Sequence, residues 1–354
     1  MSSSPPQVIA LTKRSRDYGS HSSYYTQAFA YAPEDGVRIS VVAPREGLWS
    51  RVVGRMFSAS IHAPQRNQTE AAAELSFVTR TSIARRAIGH IANVEDHFPL
   101  LAALHRPEPR WVTTVHFPPA QWREEDALNL RRCGKVIVLC QRDAEYFRAI
   151  VKPEQIALIL HGVDTEFFSP DEVQRSPAPR VIFVGKWLRD FSATASVLQE
   201  ALARWPDLQA DLVVARRWTE GTPLSTLENH PRVHWYDSVS DEDLRRLYRQ
   251  AWLLLLPLID TSANNALVEA LSCGTVPVVN HVGGVPDYGG GDIFPTAPNT
   301  DGLFSLMAGY LDHPERLEPY AKACRKFALE RLSWRAIRAQ HLNLYRQMAA
   351  SLTR

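Results

Sequence analysis

Short apolar runs alternate with longer stretches in which apolar residues recur at helical spacing, and polar clusters bearing Gly, Pro, Asn and Asp separate them. In the first half this pattern predicts strands at residues 8–11, 38–43, 88–94, 111–116 and 136–140, with a helix at residues 24–31 after the first of them. In the second half it predicts strands at Arg180–Val184, residues 210–215, Val233–Tyr236, Leu253–Leu256 and Val276–Val279. Helices are expected between them at residues 192–205 and Asp241–Gln250, and the chain after Pro314 reads as helical through residues 317–330 and 334–352. Alternation of this kind predicts parallel sheets with helices on both faces.

The stretch from Trp252 to Asp287 carries the most information. Leu253–Leu256 is an all-apolar run stopped by Pro257, as expected of a strand buried on both faces. Asn264 and Asn265 stand where a helix starts, Ala266, Leu267, Ala270 and Leu271 follow at helical spacing, and Gly274 ends it. A polar loop feeding a helix N-terminus offers backbone N–H groups and the positive end of a helix dipole, which suits a phosphate-bearing ligand at Asn264, Asn265 and Ala266. Glu269 lies about one turn into this helix. Lys186 and Arg189 occupy the loop after the strand Arg180–Val184, where two cations can hold a diphosphate and offset the charge that grows on it as a group leaves. Gly19 and Ser20 lie in a small polar loop after the first strand, at the edge where open α/β sheets bind ligands; that loop lacks the Gly-x-Gly-x-x-Gly fingerprint, which disfavours a nicotinamide enzyme.

A chain of 354 residues accommodates two domains of ordinary size, and the Pro-rich, charged segment at residues 169–179 reads as the linker between them. A net charge of +2 disfavours a nucleic-acid binder. No window reaches the roughly 18 consecutive apolar residues of a membrane span, and the polar start shows no signal peptide, so a cytoplasmic location is expected. The basic stretch containing Arg51, Arg55, Arg66, Arg80, Arg85 and Arg86 reads first as a solvated helix face and second as a peripheral surface for an anionic acceptor or the inner membrane face. Cys133, Cys140, Cys273 and Cys324 have neither paired spacing nor His companions and read as reduced, partly buried side chains.

The run Asn265-Ala266-Leu267-Val268-Glu269-Ala270 and its continuation to Val279, with His161-Gly162-Val163-Asp164 and Phe167-Phe168-Ser169-Pro170 upstream, resembles the retaining glycosyltransferases of family 4. The likeness is thinner in the first half, where Thr113-Thr114-Val115-His116-Phe117-Pro118-Pro119 is its anchor. It implies an α/β GT-B fold of two Rossmann-like domains facing across a cleft, with the nucleotide-sugar donor held mainly by the second. The domains would be residues 1–168 on the acceptor side and 169–333 on the donor side, with a final helix at 334–354 packing back on the first.

The resemblance assigns Glu269 to the ribose hydroxyls as the second acid of a Glu-x7-Glu pattern, and His116 to the neighbourhood of the reacting sugar carbon. The first acid of that pattern falls at Thr261 here, so Asp260, one residue earlier, is expected to stand in for it or the donor sugar to differ. Lys186 takes the place of the family's loop Arg, whereas the later Lys place is Phe191, leaving Arg189 as the second cation. Asp164 reads as structural through bonds to its own turn. Glu95, Asp96 and His97 read either as a solvated loop or as groups that recruit an acceptor hydroxyl.

The expected activity is transfer of a hexosyl unit from a nucleoside-diphosphate sugar, as co-substrate, to a hydroxyl of a glycan, lipid-linked sugar, protein or small molecule. No metal or other cofactor is expected, because no Asp-x-Asp motif stands at a strand end and Lys186 with Arg189 can do a cation's work. The alternatives are an epimerase or hydrolase on the same fold, and a catalytically silent nucleotide-sugar-binding subunit.

Overall fold

The computed structural model describes residues 5–13, 21, 23–32, 35–61, 67–170 and 175–352, and the chain divides into two units. The first comprises Met1–Tyr18, Ser23–Leu160 and Arg335–Arg354, the second Gly19–Ser22 and His161–Trp334. In chain order the first unit runs β1 (Gln7–Leu11), α1 (Tyr24–Gln27), β2 (Arg38–Val42), α2 (Leu48–Ser60), α3 (Gln68–Ile83), β3 (Ile88–Ile91), α4 (Phe98–Ala102), β4 (Glu108–Thr114), α5 (Glu124–Asn129), β5 (Cys133–Val138), α6 (Gln141–Arg148) and β6 (Ile156–Leu158). The second follows with β7 (Arg180–Val184), α7 (Phe191–Arg204), β8 (Gln209–Val213), β9 (Val233–Tyr236), α8 (Asp241–Gln250), β10 (Leu253–Leu256), α9 (Asn265–Cys273), β11 (Val276–Val279), α10 (Thr300–Leu311) and α11 (Leu317–Phe327). A last helix, α12 (Trp334–Ser351), lies in the first unit from Arg335 onward.

Each unit holds one parallel sheet, of order β2-β1-β3-β4-β5-β6 in the first and β11-β10-β7-β8-β9 in the second. Every residue of β3, β10 and β11 is buried, which is why those strands lack the polar alternation of a half-exposed sheet. In the second unit Val181, Phe183, Leu253, Leu255, Val276 and Val278 belong to one core with Leu198, Ala201 and Leu202 of α7. In the first, Ile9, Leu11, Ile91, Val136 and Val138 belong to a core with Phe77 of α3 and Phe147 of α6.

Departures from the expected elements have local causes. β3 stops at Ile91 because the Asn93 side chain accepts the Glu95 N–H at 3.1 Å and turns Val94–His97 into a 3-10 helix. The helix expected at residues 24–31 lasts only from Tyr24 to Gln27. The division between units falls eight residues before the expected one: the Val163 N–H donates to the Leu332 carbonyl at 2.8 Å, and the Phe168 ring lies 6.2 Å from that of Tyr248, both within the second unit. All four cysteines are buried and free.

A buried polar chain ties α12 to the sheet of the first unit. The Tyr345 hydroxyl lies 2.6 Å from His90 Nδ1, His90 Nε2 lies 2.9 Å from Thr114 Oγ1, Thr114 Oγ1 lies 2.9 Å from the Tyr24 hydroxyl, and that hydroxyl lies 3.1 Å from His341 Nε2. Burial holds both histidines neutral: His341 is pushed down to about 3, and His90 lies well below its ordinary value, with His341 and His116 pushing it further the same way.

A histidine whose folded value is depressed takes up its proton first in the unfolded chain. Its contribution to stability is present at neutral pH and is lost as pH falls from about 6.5 toward about 3. Acidification from pH 7 to pH 5 should therefore destabilise this unit by up to about 2 kcal/mol through His341. The urea midpoint followed against pH measures this loss, and His341→Leu should flatten its acid limb.

Candidate active site

Parallel pairing brings the loops after β7, β8, β10 and β11 to one edge of the second sheet. β7, the first strand of the unit, lies between β8 and β10, so the chain winds away from it in both directions and the loops after β7 and β10 flank the crevice where such sheets bind ligands. Those two loops are laced together. The Asp190 N–H donates to the Pro257 carbonyl at 3.0 Å and the Ile259 N–H to the Leu188 carbonyl at 2.9 Å.

Arg189 lies along this seam. Its Nε donates to the Val184 carbonyl at 2.9 Å, Nη1 to the Trp187 carbonyl at 3.0 Å and Nη2 to Asn264 Oδ1 at 3.2 Å. Gly185, at φ 90°, makes room for the guanidinium, since a Cβ there would stand 2.9 Å from Nη2. Asn264 is the N-cap of α9, and its side-chain oxygen also accepts the Leu267 N–H at 3.3 Å. A fixed guanidinium and the positive end of the α9 dipole therefore converge at this point. Lys186 is placed differently from the expected pairing: it is exposed, and its ammonium sits 3.7 Å from the centre of the Trp218 ring.

Glu269 is buried one turn into α9, where its Oε2 accepts from the Tyr248 hydroxyl of α8 at 2.9 Å. Burial raises the Tyr248 hydroxyl well above its ordinary value, the Glu269 carboxylate adds to this, and the charge of Arg189 opposes it. Asp260 and Thr261 form a tight corner: Asp260 Oδ1 accepts the Thr261 N–H at 2.7 Å, and the Thr261 hydroxyl donates to the Ala263 carbonyl at 2.9 Å. The Gly284 N–H donates to the Thr261 carbonyl at 2.8 Å, and a Cβ on Gly283, at φ 54°, would fall 2.1 Å from that same oxygen. The corner after β10 and the turn after β11 are thus one packed object.

In the first unit His116 lies two residues beyond β4. Its Nε2 donates to the Ala92 carbonyl at 2.8 Å, which fixes the tautomer with Nδ1 as a lone-pair acceptor. Burial pushes the imidazole down to about 4, against the Ala92 bond and the charge of Asp96, so it is neutral at physiological pH. Glu95 Oε1 accepts the N–H groups of both His116 and Phe117, at 2.6 and 2.7 Å. Burial pushes the Glu95 carboxyl up to about 8, against those two donors. Asp96 pairs with Lys13 at 3.0 Å, and His97 Nδ1 bonds Glu74 in the interior. Glu95 therefore organises the backbone around His116, while Asp96 and His97 are bonded to Lys13 and Glu74, so the segment is not a solvated loop.

Asp164 accepts the N–H groups of Glu166 and Phe167 at 3.2 and 3.1 Å, the turn expected of it. Gly19 and Ser20 lie outside the described residues. Sequence reasoning missed Tyr248 as the partner of Glu269, and Trp218 as the seat of Lys186. Tyr248 occupies an inward position of an amphipathic helix, where its hydroxyl gives no signal of its own.

Residues 178–313 match the family described as Glycosyl transferases group 1. Among curated proteins, the chain is 24% identical over 275 residues to the MMP alpha-(1->4)-mannosyltransferase of Mycolicibacterium hassiacum, an alignment covering 72% of this chain and 66% of that protein. Other curated relatives are spanned over about four tenths of their length. Among solved structures, a sucrose-phosphate synthase from Thermosynechococcus elongatus superposes with a TM-score of 0.74 at 17% identity, covering 98% of this chain and 100% of that one. An Anabaena protein in complex with UDP-glucose superposes with a TM-score of 0.68 at 16% identity, covering 98% and 99%. These likenesses give the fold, GT-B.

Glu95 offers a direct check on what holds His116. Glu95→Ala strands two backbone N–H groups and should cost about 2–4 kcal/mol in the urea midpoint of this unit. Glu95→Gln keeps an acceptor oxygen of the same shape and should cost under about 1 kcal/mol.

Proposed function

We propose, for a chain that belongs to the family 4 type of glycosyltransferases, that the protein transfers a hexosyl unit from a nucleoside-diphosphate sugar to an acceptor hydroxyl with retention of anomeric configuration. The observation that carries this reading is the meeting of the Arg189 guanidinium with the Asn264 cap of α9, at the strand edge where β7 and β10 part. A diphosphate seated on the N–H groups of Asn265 and Ala266 gains the helix dipole and a cation whose position needs no rearrangement as charge develops. Glu269 is suited to accept hydrogen bonds from the ribose diol, and Tyr248 holds its carboxylate for that task.

In the proposed reaction the bond between the anomeric carbon and the β-phosphate oxygen breaks, the acceptor oxygen bonds to that carbon on the same face, and its proton passes to the departing diphosphate. Arg189 stabilises the leaving charge without a metal ion, joined by Lys186 once its ammonium leaves the Trp218 ring. His116 of the first unit, neutral and with Nδ1 as acceptor, is suited to take a hydrogen bond from a sugar or acceptor hydroxyl. The M. hassiacum relative is named a mannosyltransferase and the Anabaena structure holds UDP-glucose, which supports a nucleotide-sugar donor for this chain as well. The acceptor class stays open among glycans, lipid-linked sugars, proteins and small molecules.

Incubation with a panel of nucleoside-diphosphate sugars, with and without acceptor hydroxyl compounds, tests the reading through release of the nucleoside diphosphate. A new sugar nucleotide without release marks an epimerase, and a rise in melting temperature without turnover marks a silent binder. Arg189→Ala should lower kcat more than it raises the donor KM, since the diphosphate charge is greatest in the transition state. Unchanged kcat removes Arg189 from the leaving-group role.

The missing first acid gives a second test. If Asp260 stands in for it, Asp260→Ala should cut turnover about a hundredfold, roughly 3 kcal/mol, while affinity for the free nucleoside diphosphate holds. If instead the donor sugar differs, Asp260→Ala is mild and Thr261→Glu shifts preference toward an ordinary hexose donor. Parental behaviour of both variants across the panel places the sugar contact elsewhere.

A further inference from the structure

Helix α2 turns its apolar side to solvent. Leu48, Trp49 and Met56 are 78, 80 and 71% exposed, and Val52 and Val53 join them. The spacing 48, 52, 56 with 49, 53 puts all five on one stripe. The opposite side is packed: Gly54 and Ser58 are buried, a Cβ on Gly54 would meet the Gln68 carbonyl at 1.7 Å, and Phe57 leans on the core of the first unit. The outward stripe is therefore not a helix displaced from its seat. Arg51 and Arg55, both exposed, border the stripe on one side. The helix itself contains no acidic residue, and Glu46 just before it lies 3.4 Å from Arg51.

We infer that α2 is a docking element that lies in the surface of a membrane bearing anionic lipids. The stripe carries no hydroxyl, amide or charge to specify a protein partner, an exposed indole suits the boundary between headgroups and acyl chains, and the two flanking guanidiniums complement lipid phosphates. At 13 residues the helix is about 20 Å long, too short to cross a bilayer, and among the described residues no helix is long and apolar enough to do so. The contact is one of lying on the surface. It does not depend on the glycosyltransferase reading.

Sedimentation of the full chain with vesicles rich in phosphatidylglycerol, against vesicles of phosphatidylcholine alone, tests this. The parent should pellet with the former and be released by about 0.5 M salt. Trp49→Glu and Met56→Glu should each lower the bound fraction about tenfold, and Arg51→Gln with Arg55→Gln should weaken binding to the anionic vesicles only. Both apolar side chains lie in solvent, so the variants should keep the parent's circular dichroism and thermal midpoint. Absence of parental binding overturns the inference, as does binding that survives both glutamate substitutions. A dimer in solution that Trp49→Glu dissociates, with no vesicle binding by the parent, also overturns it and gives the stripe to a second copy of the chain.

Discussion

Where neighbouring strands of a parallel sheet carry the chain off in opposite directions, the loops that follow them must part, and both sheets of this protein are built around such a point. In the second sheet it lies between β7 and β10, in the first between β1 and β3. Several of the residues described above sit at strand ends on these edges: Arg189, Asn264 and the corner at Asp260 beside the β7/β10 point in one unit, Glu95 after β3 and His116 after the adjoining β4 in the other. The side chains are held there by main-chain groups. Arg189 uses the carbonyls of Val184 at the end of β7 and Trp187 in its own loop, His116 one carbonyl across the sheet, and Glu95 two N–H groups. Such groups move only if the strands move, which makes these edges stiff.

Burial sets the protonation of the first unit's interior and strand edge more than any neighbouring charge does. His116, His90 and His341 are all depressed by loss of water, and Glu95 is raised by the same cause. An edge with neutral imidazoles and a largely neutral carboxyl presents dipoles in place of full charges, in contrast to the exposed lysine and ordered guanidinium of the second unit.

The second unit was the more legible in sequence. Its strands β10 and β11 are fully buried, so Leu253–Leu256 and Val276–Val279 appear as unbroken apolar runs closed by Pro257 and opened after Gly274, and the cap at Asn264 announces α9. β6 is three residues at a sheet edge, too short to show a period, and α10 carries two glycines in twelve residues, so neither was read. The site was legible in its residues but not in their pairing. That Glu95 holds His116 depends on β3 and β4 being neighbours, a contact across about twenty residues that no local pattern encodes. Lys186 and Arg189 looked equivalent three residues apart, yet the left-handed backbone at Gly185 and Leu188 folds the arginine into the seam and leaves the lysine outside on Trp218.

The bonds from Tyr24 to His341 and from His90 to Tyr345 join residues 317 and 255 positions apart in the sequence. During synthesis β1–β6 precede the strands of the second unit, but the first unit cannot complete its interior until α12 has left the ribosome. His161–Trp334, by contrast, is a continuous stretch that holds both of its partners in every strand pair. Of the two units, the later-made one can therefore close while the earlier one waits, with Thr114 and His90 still reachable by water.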